Sequence, residues 1–87
     1  MAATLNHGAV SVTTSETTIR AAEPNRVSLL IQNLGSVDVY VGKSGVTQSN
    51  GIRVRPGDSF GTIQFTGTVV GVAVSGTCDV RYWEEVT

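Results

Sequence analysis

This chain has little of what most catalytic and binding chemistry requires. Its 87 residues hold one histidine, one cysteine, one tryptophan, one methionine and two prolines. A single cysteine, Cys78, excludes an internal disulfide framework, so the chain reads as made in the cytosol and folding under reducing conditions. Charge is sparse and balanced, six basic against seven acidic residues, for a net charge of −1. The five arginines are scattered. No basic stripe invites nucleic acid or an anionic membrane. No apolar run approaches the ~18 residues of a membrane span. "MAATLNHGAV" has neither a charged start nor a continuous apolar stretch, and does not read as a secretory signal.

What is present points to strands. Valine and threonine supply 25 residues and glycine ten, a balance that favours β-strands joined by turns. The length allows one domain. A domain of this size buries only about 60–65% of its unfolded surface, so it must pack efficiently or lean on neighbours.

Residues 1–8 carry little pattern and read as a flexible or extended N-terminal arm, with residues 9–87 as a single β domain. "AVSVTT" (9–14) and "TTIRAA" (17–22) are short strands, and "EPN" breaks the second. In "NRVSLLIQNLGSVDVYVG" (25–42), Val27, Leu29 and Ile31 alternate with Arg26, Ser28, Leu30 and Gln32, and Val37, Val39 and Val41 with Asp38, Tyr40 and Gly42. A hairpin with the loop Asn33-Leu34-Gly35 puts both sets on one face and leaves Leu30 and Tyr40 on the other. Asn50-Gly51 signals a turn, and "RPGD" (55–58) suits a type II turn with Gly57 at positive φ. "SFGTIQFTG" (59–67) has Phe60 out of step with Ile63 and Phe65, which a bulge near Gly61 would reconcile. A last hairpin joins "TVVGVAV" (68–74) to "CDVRYWEEV" (78–86). It places Val70, Val72, Cys78, Val80 and Tyr82 inward, and Val69, Ala73, Arg81 and Trp83 outward. The expected fold is all-β: a compact antiparallel sandwich or barrel of about eight short strands, Greek-key or jelly-roll-like.

Catalytic parts are missing. His7, the one histidine, lies in the unpatterned arm, whereas a Ser-His-Asp or Cys-His system needs it held rigidly beside a nucleophile. Cys78 reads as a small buried hydrophobe and has no partner ligands at metal spacing. Glu84 and Glu85 are adjacent, and neighbouring strand residues point to opposite faces, which argues against a glycosidase pair. "GKSG" (42–45) lacks the first glycine and the helix of a phosphate loop. The expectation is therefore no enzyme, no cofactor and no metal. The candidate interface residues are Leu30, Tyr40, Arg53, Arg55, Val69 and Trp83, aromatic, aliphatic or paired cationic groups on nominally outward faces.

"AAEPNRVSLLIQNLGSVDVYVG", followed by "GIRVRPGDSF" and "TGTVVGVAVSGTCDVRYWEE", resembles small all-β structural domains of tailed-bacteriophage particles. The likeness covers roughly residues 17–85 and rests on Pro24, Asn25, Arg26, Gln32, Asn33, Tyr40, Gly42, Gly51, Ile52, Pro56, Gly57, Gly76, Asp79 and Arg81. Glu23 stands where such domains often have asparagine. The resemblance implies a virion protein made in the bacterial host cytoplasm: a head decoration or capsid-stabilising subunit touching the major capsid protein or other virion proteins. It implies a homo-oligomer, a trimer above all, with neither nucleic acid nor membrane as partner. The alternative is a tail or fibre module that recognises a host glycan or surface protein through Trp83, Tyr40 and the 43–51 loop.

Overall fold

The computed structural model describes residues 3–87. Eight strands run in chain order: β1 (Thr4–Thr13), β2 (Thr17–Arg20), β3 (Arg26–Asn33), β4 (Val39–Gly42), β5 (Ile52–Val54), β6 (Ser59–Ile63), β7 (Val69–Ala73) and β8 (Thr77–Val86). They form two four-stranded antiparallel sheets, ordered β1-β8-β3-β6 and β2-β7-β4-β5. Pairs β1·β8, β2·β7, β3·β6 and β4·β5 are all present. The chain is thus a long hairpin, its first four strands laid against its last four, rolled into a sandwich. That is jelly-roll winding.

Only β4 and β5 are both consecutive and paired. Neither hairpin expected from the sequence forms. β3 and β4 lie in opposite sheets, as do β7 and β8. Of the residues expected inward in the first, Leu29, Ile31, Val39 and Val41 are buried in one core with Val12, Ile19, Val54, Cys78 and Val80, and Val37 packs against it. Val27, at the register shift between Arg26 and Ser28, is only half-buried and joins no core cluster. The core residues of β3 and β4 meet across the sandwich rather than side by side, and alternation looks the same in both cases.

The crossover after β3 is set by Asn33, which is buried. Its amide nitrogen donates to the carbonyls of Val37 (2.8 Å) and Val54 (2.9 Å), and its Oδ1 accepts from Gly35 N–H (2.8 Å). The Cys78 thiol donates to the same Oδ1. Gly35 is required for space, not for positive φ: a Cβ there would fall on the Cys78 sulfur.

A second polar cluster closes the other end of β3. Glu84 accepts from Arg26 Nε (2.9 Å), Arg20 Nη2 (2.7 Å) and Asn6 Nδ2 (3.1 Å). Arg26 also donates to the carbonyls of Ala21, Phe65 and Gly67, tying two connections to β8. Burial pushes the Glu84 carboxyl up, but the three donors outweigh it and hold its pKa at about 2.

Three further expectations are corrected. Residues 1 and 2 of the expected arm lie outside the described residues; residues 4–8 are extended but belong to the β domain, since they pair with Tyr82–Val86 throughout. Gly8 leaves room for the Tyr82 ring, and Asn6 binds Glu84. β6 pairs with β3 without a bulge at Gly61; instead Gln64, at φ 63°, turns the chain after Ile63. The phase of β7 is reversed. Val69 and Ala73 belong to the central core, while Val70 and Val72 face outward beneath Val46 and Tyr40. The Arg55–Asp58 turn does form, with Asp58 N–H donating to Arg55 C=O (2.9 Å) and Gly57 at φ 86°.

Candidate functional site

The two outer faces differ. On the β2-β7-β4-β5 sheet, Tyr40 sits between Val72 and Arg53 in register. The 43–51 loop folds over this face and buries Val46 against Val70, Val72 and Tyr40. Glu16 anchors the loop by accepting from Gly45 N–H (2.7 Å) and Ser44 Oγ (3.1 Å). This face is covered by its own chain.

Among the described residues nothing covers the β1-β8-β3-β6 sheet in this way. Its central row runs His7, Trp83, Leu30, Gly61, each opposite the next. The row on one side holds Leu5, Glu85, Ser28 and Ile63; on the other lie Ala9, Arg81, Gln32 and Ser59, with Leu34 just beyond. Leu5, Leu30, Leu34, Ile63 and Trp83 are 44–77% exposed and make up five of the seven large exposed hydrophobics among the described residues. A groove of about 460 Å³ lies along Trp83, lined by His7, Leu30, Gln32, Leu34 and Arg81.

The polar groups here are pinned. Trp83 Nε1 donates to Glu85 Oε2 (3.0 Å), which uses the only indole donor and fixes the ring plane. Arg81 holds Asp79 through two bonds, Nε to Oδ1 (3.0 Å) and Nη2 to Oδ2 (2.9 Å). That pairing lowers the Asp79 carboxyl and raises the guanidinium. Glycine at position 61 gives the Leu30 side chain its place.

The sequence candidates therefore separate. Leu30 and Trp83 are neighbours on the open face. Tyr40 and Arg53 are neighbours on the opposite sheet, and Arg55 is exposed beyond the end of β5. Val69 is buried in the core and leaves the set. Leu30 and Tyr40 do not share a face. His7, Leu5 and Leu34 were missed. The signal was the phase of β1: carrying the alternation of Val10 and Val12 back to residue 4 puts Leu5 and His7 outward beside Trp83.

Among the described residues no group of three or more His, Cys, Asp or Glu side chains is placed to hold a metal. No helix of the described residues is long and apolar enough to cross a membrane. No family model and no curated protein matches this chain.

Proposed function

We propose that this chain is a structural subunit of a tailed-bacteriophage particle, a head decoration or capsid-stabilising protein that acts by protein–protein contact. One observation carries the reading: the uncovered sheet face bearing Leu5, Leu30, Leu34, Ile63 and Trp83. Contiguous exposed apolar surface of this kind marks interaction sites. Burying one such side chain contributes about 1.5–3 kcal/mol, and several per subunit, repeated over a shell, hold a layer in place. The resemblance of residues 17–85 to small phage structural domains supplies the setting. The test is a reconstruction of the mature particle by electron microscopy. The chain should be found on the head with this face against its neighbour; a particle that lacks the chain removes the reading.

A second reading has its own observation. The Trp83 ring, fixed by Glu85 and flanked by Gln32, Arg81 and His7, is a platform on which a sugar ring could stack, with hydrogen-bonding groups at its rim. A tail or fibre module binding a host glycan would use it. Binding of the purified protein to host cells, lost on Trp83→Ala, favours this second reading over decoration.

A further inference from the structure

Four strands lie at sheet edges: β1 and β6 in one sheet, β2 and β5 in the other. An edge strand presents unpaired N–H and C=O groups, and proteins blunt such edges by shortness, charge, proline or a bulge. Three of these edges are blunted. β5 is three residues long, carries Arg53 and runs into Arg55-Pro56. β2 is four residues long, with a register shift between Thr18 and Arg20. β6 is five residues long and ends where Gln64 takes φ 63°.

β1 has none of these protections. Its ten residues, TLNHGAVSVT, include no Asp, Glu, Lys, Arg or Pro. They pair with β8 at ten successive positions without a shift. At about 3.4 Å per residue the strand is about 34 Å long, close to the 37 Å length of the molecule.

The direction of its backbone groups follows from the ladder. Asn33 N–H donates to Asp58 and Val27 C=O accepts from Gln64, so odd residues of β3 turn toward β6 and even ones toward β8. Leu30 and its partner Trp83 therefore bond to each other, and the even residues of β8 turn toward β1. Their partners are Asn6, Gly8, Val10 and Val12. Leu5, His7, Ala9 and Ser11 point their N–H and C=O groups away from the sheet. Thr13 keeps the same phase, and its N–H is taken by Thr17 Oγ1 (3.2 Å). Among the described residues no other strand pairs along this side of β1.

We propose that this edge pairs with β1 of a second copy, antiparallel about a two-fold axis, joining two four-stranded sheets into one of eight. Three features favour a twin over another occupant. The strand carries no charge to repel its copy. Four outward residues on each of two copies offer up to eight backbone hydrogen bonds, near the roughly ten of a standard interface. Leu5 stands on this strand beside Trp83, so pairing sets the two apolar faces on one side of a continuous sheet. A three-fold ring needs β1 against a different edge of the next copy, and the other edges are the blunted ones. The pairing is independent of the virion reading.

Sedimentation of the full chain over a concentration series, with residue-resolved amide exchange, tests it. A reversible dimer is expected. In it the amides of Leu5, His7, Ala9 and Ser11 exchange slowly, and in the monomer they exchange fast. Asn6, Gly8 and Val10 should be slow in both. Ala9→Pro removes one outward N–H per copy and spares the β8 ladder; it should weaken the dimer by about tenfold or more. Ala9→Lys, which keeps the backbone donor but charges the edge, should act in the same direction should the proline variant unfold. A monomer at every accessible concentration, a trimer, or a dimer whose four edge amides exchange as in the monomer overturns the proposal.

Discussion

Arg26 and Glu84 form an ion pair sealed from solvent: Nε lies 2.9 Å from Oε2, and both side chains are 0% exposed. Removing one member of a buried pair costs about 3–5 kcal/mol when the other is left uncompensated, and after Arg26→Ala the Glu84 carboxylate keeps Arg20 and Asn6. Arg26→Ala should still lose about 3 kcal/mol, because the carbonyls of Ala21, Phe65 and Gly67 lose their buried donor as well. Arg26→Lys keeps the charge but not the fork that reaches all of these groups, and should recover only part of the loss. Denaturant midpoints of the two variants check this.

The same carboxylate makes stability depend on pH. Its folded pKa of about 2 lies below the ordinary 4.5, so folding favours the ionised form. The stabilisation is complete above about pH 4.5, declines as pH falls toward 2 and is gone below that. The linked energy is on the order of 3 kcal/mol. Asp79 shifts in the same direction, but it is exposed and its share is smaller. Glu84→Gln, less stable at neutral pH, should show a much flatter profile between pH 2 and 4.5. Urea unfolding across that range measures both.

At the opposite end of β3, Gly35 and Cys78 are in close apposition. Gly35→Ala should destabilise by about 1–3 kcal/mol through overpacking, since the new methyl falls on the Cys78 sulfur. In a Cys78→Ala background the cost should be smaller, although the Asp79 backbone nitrogen stays close. A double-mutant cycle reads the coupling. If glycine were needed there for positive φ, the cost would be the same in both backgrounds.

How much of this could be read from the sequence depends on which symmetry the residues break. Alternation placed Leu29, Ile31, Val39 and Val41 in the core and separated Glu84 from Glu85. It also put Leu30 and Trp83 outside. It could not tell a hairpin from two strands facing each other across a sandwich, because both hide the same residues. That choice is made by Asn33, whose side chain binds the carbonyls of Val37 and Val54 as the chain crosses over. The phase of β7 was ambiguous because its five residues are buried on both faces; only the fold of the 43–51 loop explains Val70 and Val72. The Glu84 cluster was invisible for another reason. Its members are Asn6, Arg20, Arg26 and Glu84, up to 78 residues apart, and no local pattern joins them.

The proposed docking role of the open face makes separable demands on Leu30 and Trp83. Both are nearly half exposed, so Leu30→Ala and Trp83→Ala should each change stability by no more than about 1 kcal/mol. Interface anchors of this kind typically cost about 2 kcal/mol or more on truncation to alanine. Thermal unfolding reads the first number and occupancy on particles the second.

The most direct measurement is the copy number of the chain on purified phage particles, wild type against the Leu30→Ala/Trp83→Ala double variant, each supplied at equal level and checked for folding. Wild type should be retained on the head and the folded double variant largely lost from it. Equal retention of the two chains, or the absence of wild type from the particle, would contradict a docking role for this face.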